Sequence, residues 1–191
     1  MVSEARLEEL DSGAVPVTDG WFVINVRDAA WLANDAFGLR CVFEGDKPVL
    51  RNRPDLDVQR FADLGITLAV LSPGRPSGLY HAESNQEDFL VLTGECLLLA
   101  DGEERQLRAW DFVHCPRGTA HVFVGAGEGP CVLFMTGARS PEKRISYPYS
   151  ETARRHGAGV ETETSSPRDA YAQFPHWQPK RSETWRGLPW A

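Results

Sequence analysis

Short apolar segments separated by turn residues are the feature that most constrains how this chain can fold. Eight such segments, each four to eight residues long and rich in Val, Ile, Leu and Phe, occur between positions 21 and 136. They are residues 21–26, 39–44, 65–72, 89–92, 95–100, 111–115, 121–124 and 131–136. The Asp101-Gly102 pair is typical of a two-residue β-hairpin. The pattern predicts an all-β fold, either a sandwich or a barrel.

Helical patterns are scarce in the same part of the sequence. Residues 28–35 are the main candidate for a helix, and a single helical turn is expected near residues 6–10. With 191 residues the chain is long enough for one domain with a sizeable core and short for two. We therefore expect one β-domain with few helices.

The distribution of charge divides the chain into parts. Residues 1–140 hold 12 basic and 21 acidic side chains, whereas residues 141–191 hold 8 and 6. The second part is rich in Pro and also in aromatic residues, which a disordered tail lacks. We predict a lead-in over 1–20, a β-barrel domain over 21–140 and an extended arm over 141–191. The aromatic residues expected to anchor the arm on its own barrel or on a partner subunit are Tyr147, Tyr149, Tyr171, Phe174, Trp177, Trp185 and Trp190.

The composition disfavours several functions. The formal net charge of −7 argues against a nucleic-acid partner. No segment approaches the roughly 18 uninterrupted apolar residues of a membrane span, and the acidic N-terminus has no apolar core of a signal peptide, so we expect a cytoplasmic protein without a membrane partner. The four cysteines form no C-x-x-C pair, so their spacing argues against a zinc finger, and the three that lie in apolar segments are expected to be buried apolar residues.

The residues that suggest chemistry lie between 78 and 124. His81 and Glu83 are two apart and share one face of a strand, Glu87 begins another strand, and His121 opens a third after a Pro-x-Gly turn. A buried carboxylate needs a compensating charge, and a divalent cation supplies one. Two imidazoles with one or two carboxylates suit Fe, Mn, Ni or Zn. The alternative is a metal-free pocket in which the imidazoles hydrogen-bond to the carboxylates.

This segment resembles the cupin superfamily, and in particular bacterial single-domain proteins of the cupin-2 type. The first cupin motif is matched by His81-x-Glu83, three residues, Glu87, six residues and Gly94. The second is matched by Pro116-Arg117-Gly118, two residues and His121. The sequence departs from the family where Glu83 replaces a histidine, Trp110 and Gly125 replace a Gly and an Asn, and Gly74 is displaced by one position.

The resemblance implies a cupin jelly-roll barrel, or double-stranded β-helix, with one divalent metal. Carried over by residue, the ligands would be His81, Glu83, Glu87 and His121. Two carboxylates would favour Mn or Fe, with Zn also suitable. Glu83 either completes this set or turns away and leaves two histidines with one carboxylate.

Two classes of function are open from the sequence. The first is a mononuclear metal-dependent enzyme acting on a small organic molecule by oxygenase, isomerase or lyase chemistry, with Glu83 or Glu87 as general base. The second is a metal-binding or small-molecule-sensing protein without turnover. The expected pocket lining is Tyr80, Phe89, Val91, Phe123 and Phe134, although Tyr80 has packing on the opposite sheet face as its alternative. We also expect a homodimer, since sheet edges need covering.

Overall fold

Antiparallel strands make up most of the regular structure. The computed structural model describes residues 1–43, 47–50, 53, 55–56 and 61–181. The strands are β1 (Leu7–Leu10), β2 (Gly13–Pro16), β3 (Trp31–Asn34), β4 (Gly38–Phe43), β5 (Leu64–Leu71), β6 (Ala82–Glu83), β7 (Glu87–Thr93), β8 (Glu95–Ala100), β9 (Glu103–Arg108), β10 (Phe112–Cys115), β11 (His121–Ala126), β12 (Cys131–Ala138), β13 (Ile145–Ser146) and β14 (Gln178–Lys180). A 3₁₀ helix covers Lys47–Leu50, and two short α-helices are α1 (Glu151–Arg155) and α2 (Pro167–Ala170).

Two sheets enclose the main apolar core. The larger has the strand order β10-β7-β12-β5-β4-β3-β14, and the smaller has the order β11-β8-β9. Phe89, Val91 and Leu133 from the larger sheet pack in one buried cluster with Leu98 and Phe123 from the smaller. The all-β prediction is confirmed. The two sheets meet near the start of β7 and β11, and this is where the predicted ligands lie.

Tight hairpins connect the central strands. Asp101 and Gly102 have φ angles of 46° and 87° between β8 and β9, which pair along their whole length. Both residues thus take the left-handed conformation that a type I′ turn requires. The hairpin predicted from Asp-Gly is confirmed.

Three sequence-based expectations about the N-terminal part of the chain were wrong. Residues 28–35 do not form a helix, because Trp31 and Leu32 bury opposite faces of β3 between β4 and β14. The expected helical turn near residues 6–10 is strand β1, paired with β2. Residues 21–26 form no strand, and Trp21 makes only an isolated bridge to Glu4. For residues 28–35, pairing of β3 with the distant strand β14 overrides the local preference for a helix.

The chain after β12 packs against its own domain. Strand β13 pairs with β6, the carbonyl of Ala158 accepts the amide of Tyr80, and β14 adds to the edge of the larger sheet at β3. Aromatic side chains of this segment that join a buried cluster with Phe37 and Leu79 are Tyr147, Tyr171, Phe174 and Trp177. The side chain of Tyr149 is about half exposed.

Some predictions are not tested by this arrangement. Trp185, Trp190 and the end of the predicted segment 39–44 at Glu44 lie outside the described residues. The boundaries of lead-in, barrel and arm stay predictions, and so does the homodimer. In the part of the chain that the structure describes, no helix is long and apolar enough to cross a bilayer.

Candidate metal centre

A pair of histidines forms the base of the candidate site. His81, just before β6, makes an isolated antiparallel bridge with His121, the first residue of β11. Their backbones exchange two hydrogen bonds, from the His121 amide at 2.9 Å and from the His81 amide at 3.2 Å. Directly opposed residues project to the same side of a sheet, so the two rings lie with centroids 5.1 Å apart.

Backbone carbonyls set the tautomer of both histidines. Nδ1 of His81 lies 2.7 Å from the carbonyl oxygen of Leu79, and Nδ1 of His121 lies 3.0 Å from that of Thr119. A carbonyl oxygen only accepts hydrogen bonds, so each Nδ1 must carry the hydrogen. In the neutral imidazole, each Nε2 then presents a bare lone pair. This is how proteins commonly orient histidine ligands of metals.

Glu87 supplies the third group. Its Oε2 lies 3.7 Å from Nε2 of His121 and 3.9 Å from Nε2 of His81, distances too long for hydrogen bonds. One donor atom of each residue lies within 4.8 Å of the other two. The side chains are 2% (His121), 21% (His81) and 15% (Glu87) exposed. The cluster is therefore largely shielded from solvent.

Burial disfavours charge on all three groups. It raises the pKa of Glu87 to about 8, with a smaller contribution in the same direction from Glu83. It lowers the pKa of His121 to about 4, assisted by the neighbouring His81, and it also lowers the pKa of His81. Both imidazoles are thus poised as neutral ligands, and a cation placed among the three groups would stabilise the ionised form of Glu87.

These observations fit a divalent metal. The two Nε2 atoms and the Glu87 carboxyl converge at distances too long for hydrogen bonds, so the three potential metal ligands are not paired with one another. A cation would accept both lone pairs and stabilise the ionised carboxylate. The set of two imidazoles and one carboxylate suits Fe, Mn, Zn or Ni. The group could hold the predicted divalent cofactor.

Glu83, the fourth predicted ligand, lies outside this cluster. Its Oε1 is 2.6 Å from Nζ of Lys143, and its Oε2 is buried with no hydrogen-bond partner among the described residues. The side chain is 7% exposed. The structure therefore shows the arrangement in which Glu83 turns away and leaves two histidines with one carboxylate. A role for Glu83 as ligand or general base stays a prediction.

A cavity of about 150 Å³ adjoins Glu87. Its polar and charged lining residues are Thr67, Glu83, Glu87, Thr136, Arg139 and Lys143, and its apolar ones include Phe89 and Met135. The sequence motifs did not reveal Arg139 or Lys143, which follow β12. Lys143 reaches Glu83 because β13 pairs with β6, and no local pattern in the sequence announces that pairing.

The five predicted pocket residues are distributed differently. Phe89 lines the cavity, while Val91 and Phe123 lie deeper in the core between the sheets. Tyr80 packs on the other side of the smaller sheet, against Ala153 of α1. Phe134 alternates with the core-facing Leu133 along β12 and so points to the opposite face. The cavity is consequently more polar than the apolar lining that was predicted.

Comparison with known proteins agrees with this site. Residues 67–137 match the family model of the cupin domain, and His81, Glu87 and His121 all fall within that range. No curated protein sequence matches the chain.

Several solved structures are similar to part of this chain. A sugar phosphate isomerase of the cupin superfamily from Silicibacter pomeroyi is 25% identical over 62% of this chain and 68% of its own, with a TM-score of 0.45. A proposed sugar phosphate isomerase from Acidithiobacillus ferrooxidans is 24% identical over 58% of this chain, with a TM-score of 0.45, and the match spans 65% of its length. KdgF from a Halomonas species is 19% identical over 65% of this chain and 98% of its own, with a TM-score of 0.47.

The match to the family model, the two facing antiparallel sheets and the position of the motif residues agree with one another. Residues 67–137 of this chain form a cupin domain of the Cupin_2 family.

Proposed function

We propose that the chain is a mononuclear metal-dependent enzyme acting on a small polar organic molecule. His81, Glu87 and His121 would hold one divalent transition metal, which could be Fe, Mn, Zn or Ni. The observation that supports this most directly is the pair of bare Nε2 atoms beside the Glu87 carboxylate. A bound metal would act as a Lewis acid toward a substrate oxygen.

The three protein ligands leave room for a substrate. Structural metal sites are usually closed by four protein ligands, whereas catalytic sites keep a position open. Here Glu87 also lines the cavity that is bounded by Glu83 and Lys143, and this cavity would give a substrate access to the metal. Oxygenase, isomerase and lyase chemistry all use such a site, and the polar lining favours an oxygen-bearing substrate.

The residues of the chain have separate tasks in this proposal. The carbonyls of Leu79 and Thr119 hold the two imidazoles in the ligating tautomer. Phe89, whose ring centroid lies 5.0 Å from that of His121, shields the buried side of the cluster from water. Glu83 holds Lys143 at the wall of the cavity through their 2.6 Å ion pair.

Metal analysis of two histidine variants tests the proposal. Protein purified without chelator should contain about one metal ion per chain by mass spectrometry, and His121→Ala should lose it. His114→Ala is the matched control, because that side chain is half exposed and bonded to Asp88 rather than to the cluster. Circular dichroism would verify that both variants fold. Absence of metal from the wild-type chain, even after reconstitution, would refute the proposal.

Turnover separates the enzyme from the non-catalytic alternative. Uptake of O₂ by an iron-loaded protein with a candidate phenol or thiol would indicate an oxygenase. Tightly held zinc without turnover of hydroxy or keto compounds would instead favour a metal-binding or sensing role.

A further inference from the structure

We infer that Lys143 keeps the metal centre open, because its ion pair with Glu83 prevents that carboxylate from becoming a fourth protein ligand. Lys143 is thus a positioning residue that acts through Glu83. This inference deepens the proposed function and rests on it for the metal.

Glu83 lies on the side of its strand that faces the cluster. It follows His81 by two positions, and residues two apart on a strand project to the same face. Glu83 and Glu87 line the same cavity. Their carboxyl groups are also close enough for the charge of Glu83 to raise the pKa of Glu87. Rotation about its side-chain bonds would therefore move the Glu83 carboxylate toward the space that His81 and Glu87 share.

The two oxygens of the Glu83 carboxylate have unequal surroundings. Oε1 lies 2.6 Å from Nζ of Lys143, whereas Oε2 is enclosed and has no hydrogen-bond partner among the described residues. The side chain is only 7% exposed, so water stabilises its charge little. The ion pair with Lys143 is therefore the contact that holds this buried carboxylate in its present orientation.

Backbone pairing keeps Lys143 beside Glu83. Strand β13 pairs with β6 so that Ile145 lies opposite Glu83. The amide of Ser84 donates to the carbonyl of Arg144 at 2.9 Å, and the amide of Arg144 donates to the Ser84 hydroxyl at 2.8 Å. Lys143 directly precedes this paired segment, so its ammonium group stays near Glu83 although the side chain is about one third exposed.

Loss of Lys143 would leave Glu83 as a buried carboxylate without a compensating charge. Removing one partner of a buried ion pair is strongly unfavourable, because the other charge stays out of water. A divalent cation on His81, Glu87 and His121 offers the missing compensation. A fourth protein ligand would bind the metal more tightly and would occupy a position that an open site keeps for water or substrate.

Competitive zinc titration of the full chain gives the first test. Lys143→Met should raise zinc affinity at least about tenfold, because Glu83 is then free to join the metal. Arg144→Met is the matched control, since it removes an exposed neighbouring cation and should leave zinc affinity unchanged. The double variant Lys143→Met with Glu83→Leu should lack the gain, because leucine offers no oxygen. Equal zinc affinities of Lys143→Met and Arg144→Met would overturn the inference.

Visible spectroscopy of the cobalt-loaded proteins reports the ligands directly. Lys143→Met should change the absorption of bound Co²⁺ and should bind added azide at least about tenfold more weakly than the wild type, since Glu83 fills the open position. Glu83→Leu alone should leave the cobalt spectrum unchanged. A changed spectrum in Glu83→Leu would show that Glu83 already binds the metal in the wild type and would overturn the inference. This variant leaves no buried carboxylate unpaired, so the test stands even where Lys143→Met fails to fold.

Metal content separates this inference from the proposed function. A wild-type chain that binds neither zinc nor cobalt refutes the proposed function. A metal-loaded chain in which Lys143→Met changes neither the zinc affinity nor the cobalt spectrum refutes the role of Lys143 alone.

Discussion

The phenol oxygen of Tyr171 accepts a hydrogen bond from the backbone amide of Leu79 at 3.1 Å. The carbonyl of the same Leu79 lies 2.7 Å from Nδ1 of His81. Tyr171 follows α2 and thus lies far along the chain from the histidine that it supports. Through Leu79, Tyr171 therefore links the chain after β12 to the candidate metal site and is a positioning residue for His81.

Replacement of Tyr171 by Phe should weaken both the fold and the site. Leu79 is fully buried, so its amide would lose its partner without gaining water, at a cost of about 1–3 kcal/mol in the free energy of unfolding. Without this bond the backbone of Leu79 would be less firmly placed, so its carbonyl would orient His81 less well, and zinc affinity should fall about tenfold. Urea denaturation and competitive zinc titration measure the two effects.

Tyr149→Phe is the control for this change. Its hydroxyl lies 3.3 Å from Nη1 of Arg154 on the surface, so its removal should cost less than about 0.5 kcal/mol and leave zinc affinity unchanged. The visible spectrum of the cobalt-substituted protein distinguishes positioning from general destabilisation. A spectrum of Tyr171→Phe identical to that of the wild type would show that Tyr171 does not position His81.

The parts of the site that the sequence predicted are those that follow from short-range geometry. His81 and His121 could be identified because each opens a short strand segment at a motif spacing, and Glu87 because it begins an apolar strand. The orientation of Glu83 could not be predicted, because it depends on Lys143, which comes much later in the chain, after β12. That contact requires β13 to pair with β6, and a two-residue strand has no distinctive pattern.

The errors in the fold and the pocket have the same physical origin. Residues 28–35 favour a helix locally, yet strand β3 is fixed by pairing with β14, which lies close to the other end of the chain. Phe134 was expected in the pocket, but it pairs with Leu90 while Met135 pairs with Phe89. The pairing register between β12 and β7, which shifts after Val132, decides which residues of β12 face the cavity. Because β12 is apolar on both faces, its sequence fits this register and one shifted by a single residue equally well.

Gly94 offers a test of the turn between β7 and β8. Its φ is +75°, and a Cβ there would overlap the carbonyl oxygen of Pro130. Gly94→Ala should therefore lower the free energy of unfolding by about 3 kcal/mol, because the backbone before β12 must move as well. Gly102→Ala is the matched control, because Gly102 has a φ of +87° but open space around it. This variant should lose only the cost of the left-handed conformation, about 1–2 kcal/mol in the free energy of unfolding. Equal losses in the two variants, measured by urea denaturation, would show that contact with Pro130 is unimportant.

Cys41 should make stability depend on alkaline pH. The residue is 1% exposed among Ala29, Trp31 and Val132, and burial raises the pKa of its thiol from 9.0 to about 12. Above pH 9 the unfolded thiol loses its proton while the folded one keeps it, so the unfolded state is favoured as pH rises. The stabilisation that comes from keeping this thiol protonated is fully present below pH 9 and is lost progressively toward pH 12. At pH 10 the free energy of unfolding is lower by about 1.4 kcal/mol. Cys41→Ala, although less stable at every pH, should lose less stability than the wild type between pH 8 and pH 10, as urea denaturation at each pH would measure. Parallel curves for the two proteins would mean that the Cys41 thiol ionises equally in both states, contrary to its burial in the larger sheet.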